Sequence, residues 1–139
     1  MYTFDPKNVD LIYGGAKIDG YADGTFVQVE YNSDRYALQM GSDGLGARAK
    51  SNDKSAKITI TLMPNSVGNK ILDAAAKLDD AANAGALPLA LTDLSTGDLF
   101  ISSGAWVMKD PGREFAKEIQ PVEWVLETDK LSSVHGATL

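Results

Sequence analysis

Apolar and polar residues alternate along several short stretches of the chain, and a period of two is typical of half-buried β-strands. The stretch SAKITITL, from Ser55 to Leu62, places its isoleucines and last leucine on one face and its threonines on the other. In Thr25–Tyr31 the apolar positions alternate with a mixed set that includes Glu30, so that face is predicted to meet water or a partner. Further strands are predicted at Val9–Tyr13, Ala16–Asp19, Tyr36–Met40, Leu87–Thr92, Leu99–Ser102, Ala105–Lys109 and Val122–Thr128.

The connections between these strands are rich in glycine, proline, asparagine and aspartate, which favour turns. The turn Asn32–Asp34 predicts that Tyr36–Met40 forms a hairpin with the preceding strand, with Tyr36, Leu38 and Met40 on one half-buried face. A bulge is predicted at Ser103–Gly104, and Phe115–Gln120 is expected to lead directly into the last strand.

A single stretch has helical periodicity, with apolar residues recurring every three to four positions from Val67 to Ala82. It predicts an amphipathic helix at about 66–83, capped by Asn65 or Ser66 and closed by Asn83–Gly85. The fold class is therefore mainly β with one α-helix (α+β), a β-sandwich or barrel with a flanking helix. We expect one domain over residues 1–139, seven or eight strands with the helix after the fifth, and a frayed tail at 130–139.

The stretch Gly41–Lys54 is polar and rich in glycine, and it is much longer than a tight hairpin connection. It has little to bury besides Leu45 and two alanines, so burial in the core cannot order it. It is predicted to be either a mobile surface loop or a docking arm for a neighbouring subunit. The candidate interface residues are Ser42, Asp43, Leu45, Arg48, Lys50, Asn52, Asp53 and Lys54.

Composition excludes several kinds of site. The chain has no cysteine, which rules out disulfides, zinc–thiolate sites and a cysteine nucleophile, and His135 is its only histidine. The net charge of −6 argues against a protein that binds nucleic acid by neutralising phosphates. No apolar run is long enough to cross a membrane, no signal peptide is evident, and Trp106 and Trp124 are expected in the core. No catalytic, metal or cofactor site is predicted, so an enzyme is disfavoured.

Three stretches, GYADGTFVQVE from Gly20, RAKSNDKS from Arg48 and EWVLET from Glu123, resemble tail tube proteins of contractile-tailed bacteriophages, in matching order along the chain. The resemblance implies a two-sheet β structure assembled as hexameric rings that stack into a hollow tube for DNA delivery. It also implies a contractile sheath outside the tube, with tape-measure protein and then DNA in the lumen, and baseplate and tail-terminator proteins at the ends. The location would be the virion, after assembly in the host cytoplasm, with no cofactor and no membrane partner.

If six copies form a ring, the net charge of −6 per chain becomes −36 per ring. An acidic lumen would repel the phosphate backbone, so that DNA slides through without binding. Glu30, Glu123 and Glu127 are the candidates for lumen-facing acids. In the alternative interpretation, these acids keep the outer wall soluble.

Two other functions remain open from the sequence. The first is the tube component of a type VI-like secretion system or another contractile injection system, which would form similar rings. The second is a small-ligand-binding β-barrel that works as a monomer or dimer, and this one requires a lined apolar pocket.

Overall fold

A computed structural model describes residues 3–136 of the chain. Within that range it contains ten strands, one α-helix after the sixth strand and a short 3₁₀ turn at Pro6–Asn8. The strands are β1 Val9–Tyr13, β2 Ala16–Ile18, β3 Val27–Tyr31, β4 Tyr36–Met40, β5 Gly46–Lys50, β6 Ala56–Leu62, β7 Leu87–Asp93, β8 Asp98–Lys109, β9 Val122–Thr128 and β10 Ser132–Val134; the helix is α1 Val67–Ala82.

All strands except β4 and β5 form one antiparallel sheet, in the order β2-β1-β7-β8-β9-β6-β3, and β10 adds to β8. The long strand β8 divides this sheet. Its first half lies between β7 and β10, whereas its second half pairs with β9. We call the first region sheet I (β1, β2, β7, β10 and the first half of β8) and the second sheet II (β3, β6, β9 and the second half of β8).

The change of sheet coincides with an extra residue in β8. Leu87 is opposite Ala105, but Leu89 is opposite Ser102, so the bulge predicted at Ser103–Gly104 is confirmed. A second shift follows near the end of β8. Bulges bend the strand that carries them, and here they let one strand contribute to both regions.

The core lies on one face of the sheet, beneath α1. Strands β6 and β9 alternate strictly between buried positions and partly or fully exposed ones, as their sequence pattern predicts. From the helix, Leu72, Ala75 and Ala76 are buried against the sheet. The buried apolar cluster comprises Leu11, Tyr13, Ile18, Ile58, Ile60, Leu62, Leu72, Ala75, Leu89, Leu91, Ala105, Val122, Trp124 and Leu126.

Both ends of α1 follow from its sequence. The Ser66 hydroxyl accepts the N–H of Gly68 at 3.1 Å, which satisfies one of the free amides of the first turn. At the other end, Asn83 adopts a left-handed conformation and donates its N–H to the Asp79 carbonyl at 2.8 Å. The helix predicted at 66–83 is thus found at Val67–Ala82, and the mainly-β fold with one flanking helix is confirmed.

Several details of the sequence prediction were wrong. Strand β3 pairs with β6 and not with β4. The stretch Gly41–Lys54 is not a structureless loop, because it contains β5, which pairs with β4 as a separate two-stranded sheet. Strand β4 is fully exposed and not half-buried. The described residues form ten strands, and the helix follows the sixth and not the fifth.

Three further expectations need correction. Ser132–Val134 is a strand on β8, so the tail from residue 130 is not frayed there. Residues 137–139 lie outside the described range. Phe115–Gln120 does not extend the last strand and instead forms an irregular, exposed connection. Trp124 is buried as expected, whereas Trp106 is half-exposed on the opposite face.

Candidate assembly surfaces

The three candidate acids all lie on the face of sheet II that points away from the core. Lys57 on β6 lies between two carboxylates, because it is opposite Glu30 on β3 and opposite Glu127 on β9. Glu123 lies opposite Thr61 on the same face. Directly opposed residues on neighbouring strands are about 5 Å apart at Cβ, which makes this row a continuous polar surface.

The remainder of this face is neutral or apolar, with one additional cation. Trp106 lies opposite Glu127, and Lys109 lies opposite Val125. Glu30 and Glu123 are exposed, whereas Lys57 and Glu127 are half-buried among their neighbours. With three glutamates and two lysines, the face is slightly acidic. We refer to it as the outer face of sheet II.

The β4–β5 hairpin projects from the end of sheet II and has no contact with the core. Every residue of both strands is exposed. Tyr36, Leu38 and Met40 share one face of the hairpin. On this face Lys50 is opposite Tyr36 and Arg48 is opposite Leu38. The Arg48 guanidinium lies 4.2 Å from the centre of the Tyr36 ring, in a cation–π contact. The hairpin therefore presents an apolar stripe with two cations to solvent.

The tip of the hairpin is a tight turn held by its own backbone and one carboxylate. The N–H of Gly41 donates to the Leu45 carbonyl at 2.7 Å, and Asp43 Oδ1 accepts the N–H of Leu45 at 3.2 Å. Ser42 lies within this turn, and the Leu45 side chain is 73% exposed.

The base of the hairpin is held by a network around Asp53. Asp53 accepts hydrogen bonds from the Ser33 hydroxyl and from both the N–H and the hydroxyl of Ser55. These donors, with the Ser33 hydroxyl first, lower the pKa of Asp53 to about 2, because they stabilise its charged form. The Asn32 side-chain amide donates to the Ser55 hydroxyl at 3.0 Å, which adds a further hydrogen bond at the base.

The base also contacts the C-terminal strand. The Lys54 carbonyl accepts the N–H of Leu131 at 3.0 Å, and Lys54 forms an isolated bridge with Lys130. Between the base and β10 lies an open groove of about 730 Å³, lined in part by Tyr31, Arg35 and His135. Asn52 is exposed in the chain between β5 and this contact. The predicted residues from Ser42 to Lys54 are therefore spread over the tip, one face and the base of the hairpin.

A second exposed segment was not identified from the sequence. Asp110–Pro121 joins β8 to β9, and it exposes 84% of Phe115 and 70% of Ile119. Beside it a groove of about 430 Å³ separates the segment from α1, with Val122 and Trp124 among its lining residues. Trp124 Nε1 donates to Asn69 Oδ1 at 2.9 Å, which fixes the indole there. Apolar residues spaced by four among charged ones could have signalled exposure here, because they fit no strand alternation.

Residues 3–136 contain no group of three or more histidine, cysteine or acidic side chains that could hold a metal ion. His135 is exposed, and its ring packs edge-on against Phe100 with centroids 5.5 Å apart. No helix among the described residues is both long and apolar enough to span a bilayer.

Comparison with solved structures gives the same fold in contractile injection systems. A chain of the sheath/tube terminator of an extracellular contractile injection system, PVC, has a TM-score of 0.63 at 12% identity, over 96% of this chain and 98% of that one. The tube-terminating cap of the anti-feeding prophage gives a TM-score of 0.61 at 11% identity, over 97% and 93%. A chain of the PVC sheath–tube complex gives 0.61 at 13%, over 96% and 93%.

Sequence comparison identifies phage relatives. The chain is 22% identical to the structural protein ORF10 of Pseudomonas phage KPP10 over 142 aligned positions, which cover 96% of this chain and 82% of the relative. The family model described as bacteriophage PhiTE tail tube protein matches residues 10–136. The chain therefore belongs to this phage tail tube family, whose members are structural proteins of the virion and not enzymes.

Proposed function

We propose that the chain forms the inner tube of a contractile phage tail, as hexameric rings that stack into a hollow conduit for DNA. The observation that carries the proposal is the β4–β5 hairpin, which exposes an apolar stripe and two cations on strands with no core contact. An isolated two-stranded hairpin is marginally stable in water, and exposed apolar patches usually mark interaction sites. A neighbouring subunit would stabilise the hairpin and cover its stripe.

Strand edges supply the second kind of contact. Among residues 3–136, β3 pairs only with β6, so its other edge has no strand partner in this range. On the far side of sheet II, β8 continues to Lys109, beyond Ala105, the last residue that it pairs with β7. Within the same range, this end of β8 is the second free edge. Unpaired edges favour pairing with another chain. A head-to-tail pairing of these two edges around a closed ring would join the sheets II of all copies into one barrel.

In such a ring we place the outer face of sheet II on the lumen. The opposite side of the sheet is covered by the core and α1. It would form the outer wall of the tube, available to the sheath protein. The face that carries Glu30, Glu123 and Glu127 would then meet the tape-measure protein and later DNA. Baseplate and tail-terminator proteins would contact the two ends of the tube, and assembly would take place in the host cytoplasm.

The test is negative-stain electron microscopy of the purified protein, with its mass measured by light scattering. Rings or hollow tubes are expected. A second sample replaces Tyr36–Lys50 by an Asn-Gly turn, which the structure allows because the Ser51 N–H bonds the Arg35 carbonyl at 2.8 Å. This variant is expected to remain folded but not to stack.

Leu94→Ser is the matched control, because Leu94 is 55% exposed in a turn that belongs to neither the hairpin nor sheet II. It is expected to assemble normally. Tubes of normal length from the hairpin-less variant would show that the hairpin is dispensable. A stable monomer or dimer of the unsubstituted chain at high concentration would contradict the tube itself.

A second candidate function is the tube of a non-phage contractile injection system, because the solved structures with this fold come from such systems. The same rings are expected in both cases. Purified virions that contain the protein would decide for the phage tail. The small-ligand-binding barrel is disfavoured, because the family consists of tail tube proteins.

A further inference from the structure

The most exposed large apolar side chains concentrate in two segments. Among the described residues, the four most exposed are Phe115 at 84%, Leu38 and Leu45 at 73% each, and Ile119 at 70%. Two belong to the β4–β5 hairpin and two to Asp110–Pro121. Grouped exposed apolar side chains often mark an interaction site, so each segment is a candidate interaction surface.

These two segments lie at opposite ends of sheet II. The hairpin leaves the sheet after Tyr31 and returns at Ala56, which is opposite Thr128 at the end of β9. At the other end of the same strands, Leu62 is opposite Val122, where Asp110–Pro121 enters β9. One copy therefore cannot bring its own hairpin to its own Asp110–Pro121 segment.

Charge makes the two segments complementary. The apolar stripe of the hairpin carries Arg48 and Lys50 as its only charged residues. The Asp110–Pro121 segment carries an excess of acid, with Asp110, Glu114 and Glu118 against Arg113 and Lys117. The groove beside it adds Lys70 and Asp73 from α1, whose charges cancel, together with the apolar surfaces of Val122 and Trp124. A cationic apolar stripe thus has, on the same chain, an apolar surface to bind whose segment carries one net negative charge.

We propose that the Asp110–Pro121 segment and its groove receive the β4–β5 hairpin of a second copy in the adjacent ring. This inference rests on the proposed tube, and it names the acceptor for its stacking contact. The lateral edges of sheet II serve ring closure, which leaves the strand ends for contacts between rings. A head-to-tail contact between opposite ends of identical copies does not close on itself, so it propagates along the tube.

Disulfide crosslinking tests the contact directly, because the chain has no cysteine of its own. The double variant Leu38→Cys/Phe115→Cys is assembled under reducing conditions, checked for tubes by electron microscopy and then oxidised. A ladder of crosslinked chains on a non-reducing gel is expected, since each copy would link to the next. The control is Leu38→Cys/Leu94→Cys, which pairs the same hairpin cysteine with another exposed apolar site, Leu94 at 55%, and should give no ladder.

The outcomes separate this inference from the tube on which it rests. Tubes whose Leu38→Cys/Phe115→Cys chains give no ladder, or no more than the control, would place the acceptor elsewhere and leave the tube standing. Absence of tubes from the unsubstituted chain would instead contradict the proposed function. Crosslinking that occurs equally in dilute, unassembled protein would also count against the inference, because it would reflect collision.

Charge reversal supplies an independent readout. Arg48→Glu/Lys50→Glu and Glu114→Lys/Glu118→Lys are each expected to lose tubes while keeping the circular dichroism of the folded chain. Both an equimolar mixture of the two variants and the four substitutions in one chain should restore tubes, because in each case a hairpin can meet a segment of opposite charge. If Glu114→Lys/Glu118→Lys alone assembles normally, the segment binds another partner, such as the sheath protein.

Discussion

The Thr128 hydroxyl illustrates how one polar atom can hold a bent strand in place. Thr128 is fully buried, and its Oγ1 lies 2.6 Å from the Ser102 hydroxyl and 3.0 Å from the Gly104 carbonyl. It also accepts the N–H of Lys130 at 3.3 Å. These partners span the bulge at which β8 passes from sheet I to sheet II, so the hydroxyl ties the bulge to the end of β9.

We expect Thr128→Val, which keeps the side-chain shape, to lower the free energy of unfolding by about 1–3 kcal/mol. The cause is that Ser102 and the Lys130 N–H lose a buried partner. Urea unfolding measures the change, and Thr59→Val is the control, since this half-exposed threonine on β6 should shift stability by no more than about 0.5 kcal/mol. The double variant Thr128→Val/Ser102→Ala should lose less unfolding free energy than the sum of the two single variants, because the two hydroxyls interact. Equal effects of both valine variants would refute this role.

At the scale of elements, the hairpin depends on its base because it has no core contact. The low pKa of Asp53, about 2, means that its charged form is favoured by the folded base. A carboxyl whose folded pKa is depressed contributes stability above its unfolded value, about 3.9, and loses that contribution as the pH falls through the folded value. The base is therefore expected to loosen between about pH 4 and pH 2.

The prediction is that hydrogen exchange of the Ser55 and Ser51 amides accelerates over this pH window relative to core amides of β6. The amides donate to the Asp53 carboxylate and to the Arg35 carbonyl, respectively. Asp53→Asn should show fast exchange already at neutral pH, whereas Asp43→Asn, at the tip, should leave the base unchanged. A carbon NMR titration of Asp53 with a midpoint near 4 would contradict the predicted role of the base.

Most of the elements that the sequence predicts are those in which burial decides the conformation, and the exposed strand β4, whose apolar residues alternate, is the exception. Strands β6 and β9 and helix α1 alternate between core and solvent, so their periodicity is visible in the sequence. The hairpin partner β5 reads Gly-Ala-Arg-Ala-Lys, with small residues where a buried strand would have large ones. Since nothing in it is buried, the pattern gave no strand, and the pairing of β4 could not be inferred.

The candidate surfaces were also predicted only as far as strand alternation is visible in the sequence. Glu30, Glu123 and Glu127 share one face because strand alternation fixes the side of the sheet, and the sequence shows that alternation. Their alignment around Lys57 depends on the register of β6 between β3 and β9, which only the structure gives. The exposed Phe115 and Ile119 lie in a connection without strand alternation, and their spacing of four among charged residues was the one sign of their exposure.

At the scale of the whole molecule, the proposed lumen can be tested by its charge. Glu30→Lys/Glu123→Lys/Glu127→Lys should give tubes that retain short duplex DNA when assembled in its presence, because a basic wall attracts phosphates. Nuclease-protected DNA is the measurement, and retention should fall steeply with added salt. The control Asp23→Lys/Asp80→Lys/Asp129→Lys makes the same change in net charge at exposed positions outside this face. Equal protection by both variants would place the three glutamates outside the lumen.

The positions of the hairpin and of Asp110–Pro121 at opposite ends of sheet II give any stack of such rings a polarity. One end of the tube would expose a circle of free hairpins, and the other a circle of empty grooves. New rings would therefore add through their grooves at one end and through their hairpins at the other, and a single protein could not cap both ends. A cap with grooves but no hairpin would stop one end, and a starting platform with hairpin-like strands would begin the other. The proposed contact would thus set the direction of growth within each subunit.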